Sequence, residues 1–285
     1  MKLIIYSKAL YATWVYYSPD RVLFDAGEGV SNVLGNKVFA IQHVFLSHGH
    51  ADHITGLVGL VNIRNTAMGD TEKPLTIYYP RGNRRVEELA DYIGRTNSRL
   101  HYQLRWQPLS VGQPIGVFEG QLTRYVEPFL TQHSRREPSL GYNIIEIRQR
   151  LKADYQGLSQ AKIVALVQER GRQELTTTYP QKLFSYGGDS APIEPEKIAE
   201  TEILCHEATF LDDRDREGKN HSTLAEAVEV ATRAGVKQTL YAIHISSRYR
   251  QQVARAQGQA QSAAQRLGLP FQIQLVPPGK ICRYE

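Results

Sequence analysis

The chain has 285 residues, of which 41% are hydrophobic and 22% charged, and 34 Lys and Arg against 29 Asp and Glu give a net charge of +5. These are the values of an ordinary globular protein, with enough chain for one large domain or two small ones. No apolar run approaches the roughly 18 residues of a membrane span, and the N-terminus lacks the small-residue cleavage site of a signal peptide. The mild positive charge permits a polyanionic partner without requiring one.

The chain has two cysteines, Cys205 and Cys282, which lie far apart and do not have the spacing of a metal-binding motif. A disulfide framework is therefore not expected. Two thiols in or near the core fit the reducing cytoplasm, and we expect the protein to be cytoplasmic and to have no membrane partner.

Short strand-like runs bounded by turns alternate through the first half of the chain, at residues 3–6, 21–25, 44–47 and 75–79. Helical spacing of apolar residues predicts helices over residues 55–65 and 84–95. Further short strands are expected between residues 104 and 126. The stretch 25–29 carries Asp25 and two glycines, and taken alone it is a turn before a helix with Asp25 as a capping residue.

In the second half, strands are predicted at residues 140–147, 183–186, 203–205, 239–243, 272–276 and 280–283, and helices at 158–169, 223–234 and 251–267. The helix at 223–234 has strong end signals, because Thr223 and Glu226 form a capping-box pattern and Gly235 follows the last turn. Strand-then-helix order predicts a layered α/β protein. No linker interrupts the chain, so we expect a single domain over residues 1–285.

Residues 47–53 read Ser-His-Gly-His-Ala-Asp-His and follow an apolar strand. Three of the nine histidines fall within six positions, together with a carboxylate. Imidazole nitrogen and carboxylate oxygen are ligands that a zinc-type ion prefers. Four such side chains in one loop predict a metal site, and they suit two neighbouring ions better than one: His48, His50, Asp52 and His53.

A His-x-His-x-Asp-His loop after a strand is the signature of the metallo-β-lactamase superfamily, and the chain resembles this superfamily. Six further motifs follow in order: Gln-His at 132–133, Pro-Ser-Leu-Gly-Tyr at 138–142, Gly-Gly-Asp-Ser at 187–190, His-Glu-Ala-Thr-Phe at 206–210, His-Ser-Thr at 221–223 and His-Ile-Ser-Ser-Arg-Tyr at 244–249. The ordered set, over residues 23–249, resembles ribonuclease Z, the endonuclease family that trims the 3′ end of precursor tRNA. The resemblance implies an α/β fold, the four-layer α/β/β/α metallo-β-lactamase sandwich, with a two-metal site at one edge of the sheets.

This resemblance also implies a set of metal ligands for two zinc ions, with manganese or another divalent metal as alternatives. One ion would be held by His48, His50 and His133. The other would be held by Asp52, His53 and His244, and Asp189 would bridge the two. Taken alone, isolated histidines such as His133 and His244 are more often structural, and their place in the ordered motifs favours the ligand role.

Further roles follow from the resemblance. Asp25 would lie near the loop at 47–53 and support it. Asp52 would orient or deprotonate the attacking water, and Glu207 with His221 would relay a proton to the departing 3′ oxygen. Arg248 would grip a phosphate oxygen of the substrate. The alternatives are a histidine without chemistry at a helix N-terminus for His221 and a surface salt bridge for Arg248. The remaining histidines are placed outside the metal site: His43, His101 and His206.

Two departures from the family pattern concern substrate recognition. The stretch 6–14 stands where many members have a Gly-x-Gly-Ser loop that shapes the substrate entrance. The basic stretch 148–182 stands where bacterial members have a Gly/Pro-rich tRNA-binding arm, and it lacks the Gly/Pro-rich tip. It is either a reduced tRNA-binding arm or a packed helical connection.

The sequence thus predicts a metal-dependent hydrolase: a dinuclear zinc phosphodiesterase of the ribonuclease Z type that removes the 3′ trailer of precursor tRNA. The resemblance implies precursor tRNA as partner and a homodimer. The alternative is a small-molecule hydrolase on the same scaffold, with a phosphodiester, cyclic nucleotide or ester as substrate. A non-enzymatic RNA-binding relic is disfavoured, because every ligand position is present.

Overall fold

Two seven-stranded β-sheets occupy the centre of the protein in a computed structural model, which describes residues 3–66, 73–118, 121–216 and 218–285. The strands of the first sheet are β1 Leu3–Lys8, β2 Ala12–Tyr17, β3 Val22–Phe24, β4 His43–Phe45, β5 Leu75–Pro80, β6 Leu104–Leu109 and β14 Ile281–Tyr284. Those of the second are β7 Ile115–Phe118, β8 Gln121–Leu130, β9 Leu140–Leu151, β10 Thr176–Tyr186, β11 Ile203–Glu207, β12 Thr239–Ile243 and β13 Gln272–Leu275.

Eight α-helices accompany the two sheets in the described residues: α1 Val30–Leu34, α2 Ala51–Ile54, α3 Gly56–Thr66, α4 Arg84–Thr96, α5 Gln160–Arg170, α6 Arg172–Leu175, α7 Leu224–Ala234 and α8 Val253–Arg266. Helix α7 has the capping box predicted from the sequence, with Thr223 and Glu226 bonding each other's backbone, and it ends at Gly235 in a left-handed conformation. Among the described residues, no helix is both long enough and apolar enough to cross a membrane.

The sheets pack face to face and are covered by helices on their outer faces. The strand order is β14-β1-β2-β3-β4-β5-β6 in the first sheet and β13-β12-β11-β10-β9-β8-β7 in the second. Aromatic rings join the inner faces: the Phe24 and Phe184 ring centroids lie 5.4 Å apart, and those of Phe45 and Tyr142 lie 5.2 Å apart. Separate apolar clusters join α1, α3 and α4 to the first sheet, and α7 and α8 to the second. The predicted four-layer α/β/β/α sandwich is confirmed.

Parallel pairing brings the functional loops to one edge of this sandwich. Strands β3 to β6 are parallel in the first sheet, and strands β10 to β13 are parallel in the second. The carboxyl ends of neighbouring parallel strands lie at the same edge of a sheet, where ligand sites form. The motifs at 47–53, 187–190 and 244–249 each follow one of these strand ends, and the motif at 206–210 begins in the last two residues of β11.

Strand β2 begins in the stretch 6–14, where the family resemblance implies a loop. Residues 6–14 belong mostly to β1 and β2, which pair from Leu3 with Tyr17 to Lys8 with Ala12, so only residues 9–11 form the turn. Every residue of β2 is buried. The strand was missed because it is covered on both faces and has no alternation of apolar and polar residues.

The stretch 148–182 extends the β9–β10 pair away from the core. The two strands pair from Tyr142 with Tyr186 as far as Leu151 with Thr176. Helices α5 and α6 lie at the far end, and no residue of α5 is buried. The strands predicted from the sequence are too short, because the outer halves of β9 and β10 are polar and carry no apolar periodicity.

Candidate metal centre

Asp25 anchors the loop that carries the histidine motif. Its fully buried carboxylate accepts hydrogen bonds from the Ser47 backbone N–H at 2.6 Å, the Ser47 hydroxyl at 2.7 Å and the Tyr186 hydroxyl at 2.5 Å. It also lies 2.7 Å from Nδ1 of His53. A buried carboxylate needs such a set of donors, and the result is that β4, β10 and the loop are tied at one point. Of the two roles considered for Asp25, support of the loop is the one that these contacts describe.

Three histidines form the first group of side chains at the sheet edge. The ring centroids of His48, His50 and His133 lie 4.6 to 4.9 Å from one another. Each offers one nitrogen within 4.8 Å of the others, which is the spacing of ligands around a single ion. The structure therefore brings together the three residues expected to share a metal, although they come from two separate loops.

The second group contains two carboxylates and two histidines. Nε2 of His53 lies 3.3 Å from Oδ1 of Asp189, and Nε2 of His244 lies 3.1 Å from Oδ2 of Asp189. The carboxylate of Asp52 lies 3.5 Å from Nε2 of His244. The rings of His48 and His53 are 4.3 Å apart, so the two groups adjoin. All seven residues of the expected ligand set thus meet at one place.

The histidine rings are oriented by contacts on their outer sides. Nδ1 of each of four rings is within hydrogen-bond distance of an oxygen: His48 with Ser47 Oγ at 2.9 Å, His53 with Asp25 Oδ2 at 2.7 Å, His133 with Asn220 O at 3.2 Å and His244 with Thr209 Oγ1 at 3.0 Å. Metal-binding histidines characteristically use one nitrogen in this way, which leaves the other for the ion. The four Nε2 atoms accordingly face the interior of the cluster.

His50 is oriented the other way round, and its support was missed in the sequence. Its Nε2 lies 3.3 Å from Oε2 of Glu137, while its Nδ1 lies 3.1 Å from Nε2 of His133. Gly49 makes this contact possible, because a Cβ there would lie 2.6 Å from Oε1 of Glu137 and 2.3 Å from Oδ1 of Asn83. The glycine was a visible signal of close approach, but nothing near Glu137 in the sequence identifies its partner.

The chemistry of this cluster fits a divalent cation. His48 Nε2, His53 Nε2 and Asp189 Oδ1 are buried and form no well-oriented hydrogen bond, although the last two lie 3.3 Å apart. Such atoms are costly unless they bind something. Burial lowers the pKa of His48, His50 and His133, which favours the neutral form that binds metals.

The bridging position is also electrostatically suited to a cation. Burial alone would raise the pKa of Asp189, but His244 and His53 beside it hold this pKa well below its ordinary value. The carboxylate is therefore ionised. Both of its oxygens lie beside the second ligand group, Oδ1 at His53 and Oδ2 at His244. One oxygen also lies within 4.8 Å of a nitrogen of His133 in the first group, so the carboxylate adjoins both groups.

Glu207 and His221 form a second functional unit against the cluster. Glu207 is fully buried and accepts bonds from the backbone N–H groups of Ser190 and Thr209, at 3.2 and 2.9 Å. Its Oε1 lies 2.8 Å from Nδ1 of His221. Burial alone would lower the pKa of His221, but Glu207 raises it to about 9. The His221 ring stacks at 5.5 Å on His244 and lies 4.8 Å from His133, so this imidazole borders both ligand groups.

The remaining residues considered in the sequence fall into two classes. Arg248 is exposed, and its guanidinium carbon lies 5.8 Å from the centroid of the Phe210 ring. His43, His101 and His206 lie outside the ligand groups found among the described residues, as expected. Nδ1 of His206 bonds the backbone carbonyl of Glu207 at 2.7 Å, and Nδ1 of His43 lies 3.3 Å from the Tyr78 hydroxyl. A role for Arg248 at the substrate phosphate remains a prediction.

The backbone at His244 is held in an uncommon conformation. Its φ of 56° lies in the left-handed region, and its N–H donates to Ser7 Oγ at 2.7 Å. Non-glycine residues in this region cluster at functional sites, where the surroundings compensate the cost. The contact also brings β1, from the far end of the sequence, to the edge of the cluster.

Comparison with known proteins agrees with this geometry. A family model described as a beta-lactamase superfamily domain matches residues 20–245. Ribonuclease Z of Methanosarcina mazei is 32% identical over 253 residues, which cover 81% of this chain and 79% of that protein. The crystal structure of human tRNase Z, short form, superimposes with a TM-score of 0.64 at 20% identity, covering 99% of this chain and 98% of that one. The metallo-beta-lactamase fold protein YhfI from Bacillus subtilis gives a TM-score of 0.66 at 15% identity, covering 99% of both chains.

The fold and the histidine and aspartate cluster define a protein of the metallo-β-lactamase type, with side chains suited to divalent metal. The chain belongs to the beta-lactamase superfamily and, within it, to the ribonuclease Z family. This membership confirms the resemblance seen in the sequence and the prediction of a hydrolytic enzyme.

Proposed function

We propose that the protein is a dinuclear zinc-dependent phosphodiesterase that removes the 3′ trailer of precursor tRNA. The seven clustered side chains would be the ligands: His48, His50, Asp52, His53, His133, Asp189 and His244. When bound, two such ions supply an activated water and charge stabilisation for both the attacking and the leaving oxygen. Manganese or another divalent ion can fill the same oxygen and nitrogen sites.

The observation that carries the proposal is the contact between Glu207 and His221. The departing 3′ oxygen of a ribose is a poor leaving group at neutral pH unless it is protonated as it leaves. A buried carboxylate 2.8 Å from the imidazole of His221 raises the pKa of that ring and so favours the protonated form, which can donate a proton. Since His221 borders both ligand groups, it is placed to deliver the proton to the leaving oxygen.

Asp52 has the complementary role on the attacking side. It is the least buried carboxylate of the cluster, with 13% of its side chain exposed against 4% for Asp189. Burial would raise its pKa, but His244 and His53 lower it, so the carboxylate is ionised and able to accept a proton. We assign Asp52 the orientation and deprotonation of the attacking water, and Arg248 a contact with the substrate phosphate.

The stretch 148–182 would provide a reduced tRNA-binding arm on a single domain of residues 1–285. Helix α5 has no buried residue, which speaks against a packed helical connection. Exposed cations along this stretch suit phosphate contacts, because binding them releases counterions from the RNA. The fuller proposal is a cytoplasmic homodimer that binds precursor tRNA. The ribonuclease Z relative at 32% identity supports the activity within this proposal.

The test is cleavage of a precursor tRNA with a 3′ trailer by zinc-loaded protein, with metal content measured on the same sample. We expect about two zinc ions per chain and a mature 3′ hydroxyl end. Bound zinc without tRNA cleavage, but with turnover of a simple phosphodiester, would favour the alternative of a small-molecule hydrolase. Failure to bind metal would contradict the proposed centre.

A further inference from the structure

Two adjoining cavities open beside the first ligand group and are rich in cationic side chains. One, of about 590 Å³, is lined by His133, Arg135, Arg136 and Lys219, among others. The other, of about 400 Å³, is lined by His50, Arg84, Arg85 and Arg136, among others. The cavities share four residues: Ser134, Arg136, Glu137 and Pro138. We call the combined opening the arginine bay, with Arg84, Arg85, Arg135, Arg136 and Lys219 as its cations.

Among the residues that the structure describes, four of the five cations of the arginine bay have no counter-ion, and only Arg85 is paired. Glu137 is the one carboxylate among the residues lining the two cavities, and it contacts His50 at 3.3 Å and Arg85 at 3.7 Å. In the described part of the chain, the side chains of the other four cations form no ion pair or hydrogen bond. Arginines elsewhere are commonly paired, for example Arg148 with Glu202 at 3.0 Å.

Four uncompensated cations around one concave opening raise the local positive potential and favour anion binding. Arginine is well suited to phosphate, because its planar fork can donate two hydrogen bonds to adjacent oxygens. His50 and His133 line the bay and also belong to the first ligand group, so the bay opens directly onto the proposed catalytic centre. An anion held there would lie next to a phosphodiester bound at the metals.

We infer that the arginine bay binds a second phosphate of the substrate, one or two linkages away from the phosphodiester that is cleaved. This inference rests on the proposed phosphodiesterase activity of the metal centre. It goes beyond that activity because it makes the enzyme selective for substrates with more than one phosphate. The bay is separate from the arm at 148–182, since none of its lining residues belongs to that stretch.

The test uses chromogenic esters of thymidine that differ by one phosphate. The reference is thymidine 5′-(4-nitrophenyl phosphate), and its partner carries an additional 3′-phosphate. A second pair carries the 4-nitrophenyl phosphate on the 3′ oxygen, without and with a 5′-phosphate. Both pairs are needed because the bay could hold a phosphate on either side of the cleaved linkage. We expect the additional phosphate to raise kcat/KM by at least about tenfold in one pair, the effect of one charge-assisted contact. This preference should decline as salt is added.

The variant for this test replaces Arg84, Arg135 and Arg136 by Gln together, which removes charge and keeps side-chain length. The preference for the additional phosphate should fall towards unity in this variant. A matched control removes the same charge from α7 and α8, through Arg233→Gln, Arg255→Gln and Arg266→Gln, and should keep the preference. Metal content and melting temperature of each protein show whether it is folded and loaded.

The possible results separate this inference from the proposed function. The inference would be overturned if neither pair showed a preference for the additional phosphate. It would also be overturned if the arginine-bay variant showed the same preference as the unmodified protein. If the triple variant does not fold, the salt dependence of the preference in the unmodified protein and the single variant Arg84→Gln decide the matter: a preference unaffected by both overturns the inference. A salt-sensitive preference without cleavage of precursor tRNA would uphold the bay and reject the tRNA substrate.

Discussion

The two ends of the β9–β10 strand pair differ in what holds them. At the inner end, the backbone N–H of Leu140 donates to the carbonyl of Ser47 at 2.9 Å, and the Tyr142 hydroxyl donates to the carbonyl of Leu46 at 2.6 Å. At the outer end, the strands lead into α5, which has no buried residue. One end is fixed by burial and directional bonds, whereas the other presents side chains to solvent. Chemistry is expected to depend on the first end, and affinity for a large substrate on the second.

The largest loss should follow removal of a carboxylate from the ligand cluster next to the inner end. Asp52→Ala removes both a proposed ligand and the proposed proton acceptor, so hydrolysis should be abolished and metal content should fall. The change is read by turnover of a phosphodiester together with metal analysis. Wild-type turnover in this variant would remove Asp52 from the mechanism.

A smaller loss, without loss of metal, is expected from His221→Ala. General acid catalysis contributes about 10²- to 10⁴-fold, so kcat should fall by that order while two ions per chain are retained. The fall should be smaller for a substrate with 4-nitrophenolate as leaving group, which needs no proton. Loss of metal in this variant would show that His221 is a ligand and that the proposed division of roles is wrong.

A still smaller loss is expected when the contact of Glu137 with His50 is removed. Residues that orient metal ligands typically contribute 10- to 100-fold to metal affinity or activity, so Glu137→Ala should weaken binding of one ion by about that factor. Gly49→Ala should act similarly, because its Cβ would lie 2.6 Å from the Glu137 carboxylate and displace it. Cobalt titration followed by absorption measures the affinity. Glu137→Gln, which can still accept a hydrogen bond, should recover part of it.

The smallest effect on chemistry is expected at the outer end, where cations of the arm can be removed. Arg148 is unsuitable, since it pairs with Glu146 at 2.6 Å and Glu202 at 3.0 Å. Its loss would remove the ion pair of Glu202 and leave Glu146 with Arg124 alone. Arg150, Lys152, Lys162 and Arg172 are better choices for replacement by Ala. Binding of precursor tRNA should weaken. The slope of the logarithm of the binding constant against the logarithm of the salt concentration should become shallower by up to about 0.9 per lost phosphate contact.

Comparing that loss with hydrolysis of a small phosphodiester completes the test. A reduced arm predicts that the small substrate is affected far less than precursor tRNA. Equal loss on both substrates would mean that the stretch 148–182 supports the fold instead.

The parts of the molecule that the sequence predicted are those with local signals. The motif at 47–53 carries four of the clustered residues in seven positions, and the ordered motifs supplied the others through resemblance. The capping box of α7 is likewise a signal within four residues. In contrast, the contacts of Glu137 with His50 and of Ser7 with His244 join residues 87 and 237 positions apart, respectively. Such contacts are set by tertiary packing and leave no periodicity in the sequence.

Strand β2 and the outer halves of β9 and β10 show a second limit. Alternation of apolar and polar residues marks a strand that has one face in water. Strand β2 is covered on both faces, and the outer parts of β9 and β10 are largely uncovered, so neither has the alternation. Their pairing partners, which the sequence alone does not reveal, determine their lengths.

The carboxylate of Asp25 makes the alignment of the two sheets part of the metal site. It bonds Ser47 next to the first sheet and Tyr186 in the second, and it contacts His53. A sliding displacement of one sheet against the other would therefore reposition the His53 ring directly. Substitutions of the aromatic residues between the two sheets should therefore change the absorption spectrum of cobalt bound at the site. The packing between the two sheets thus helps to set the geometry of the proposed metal site.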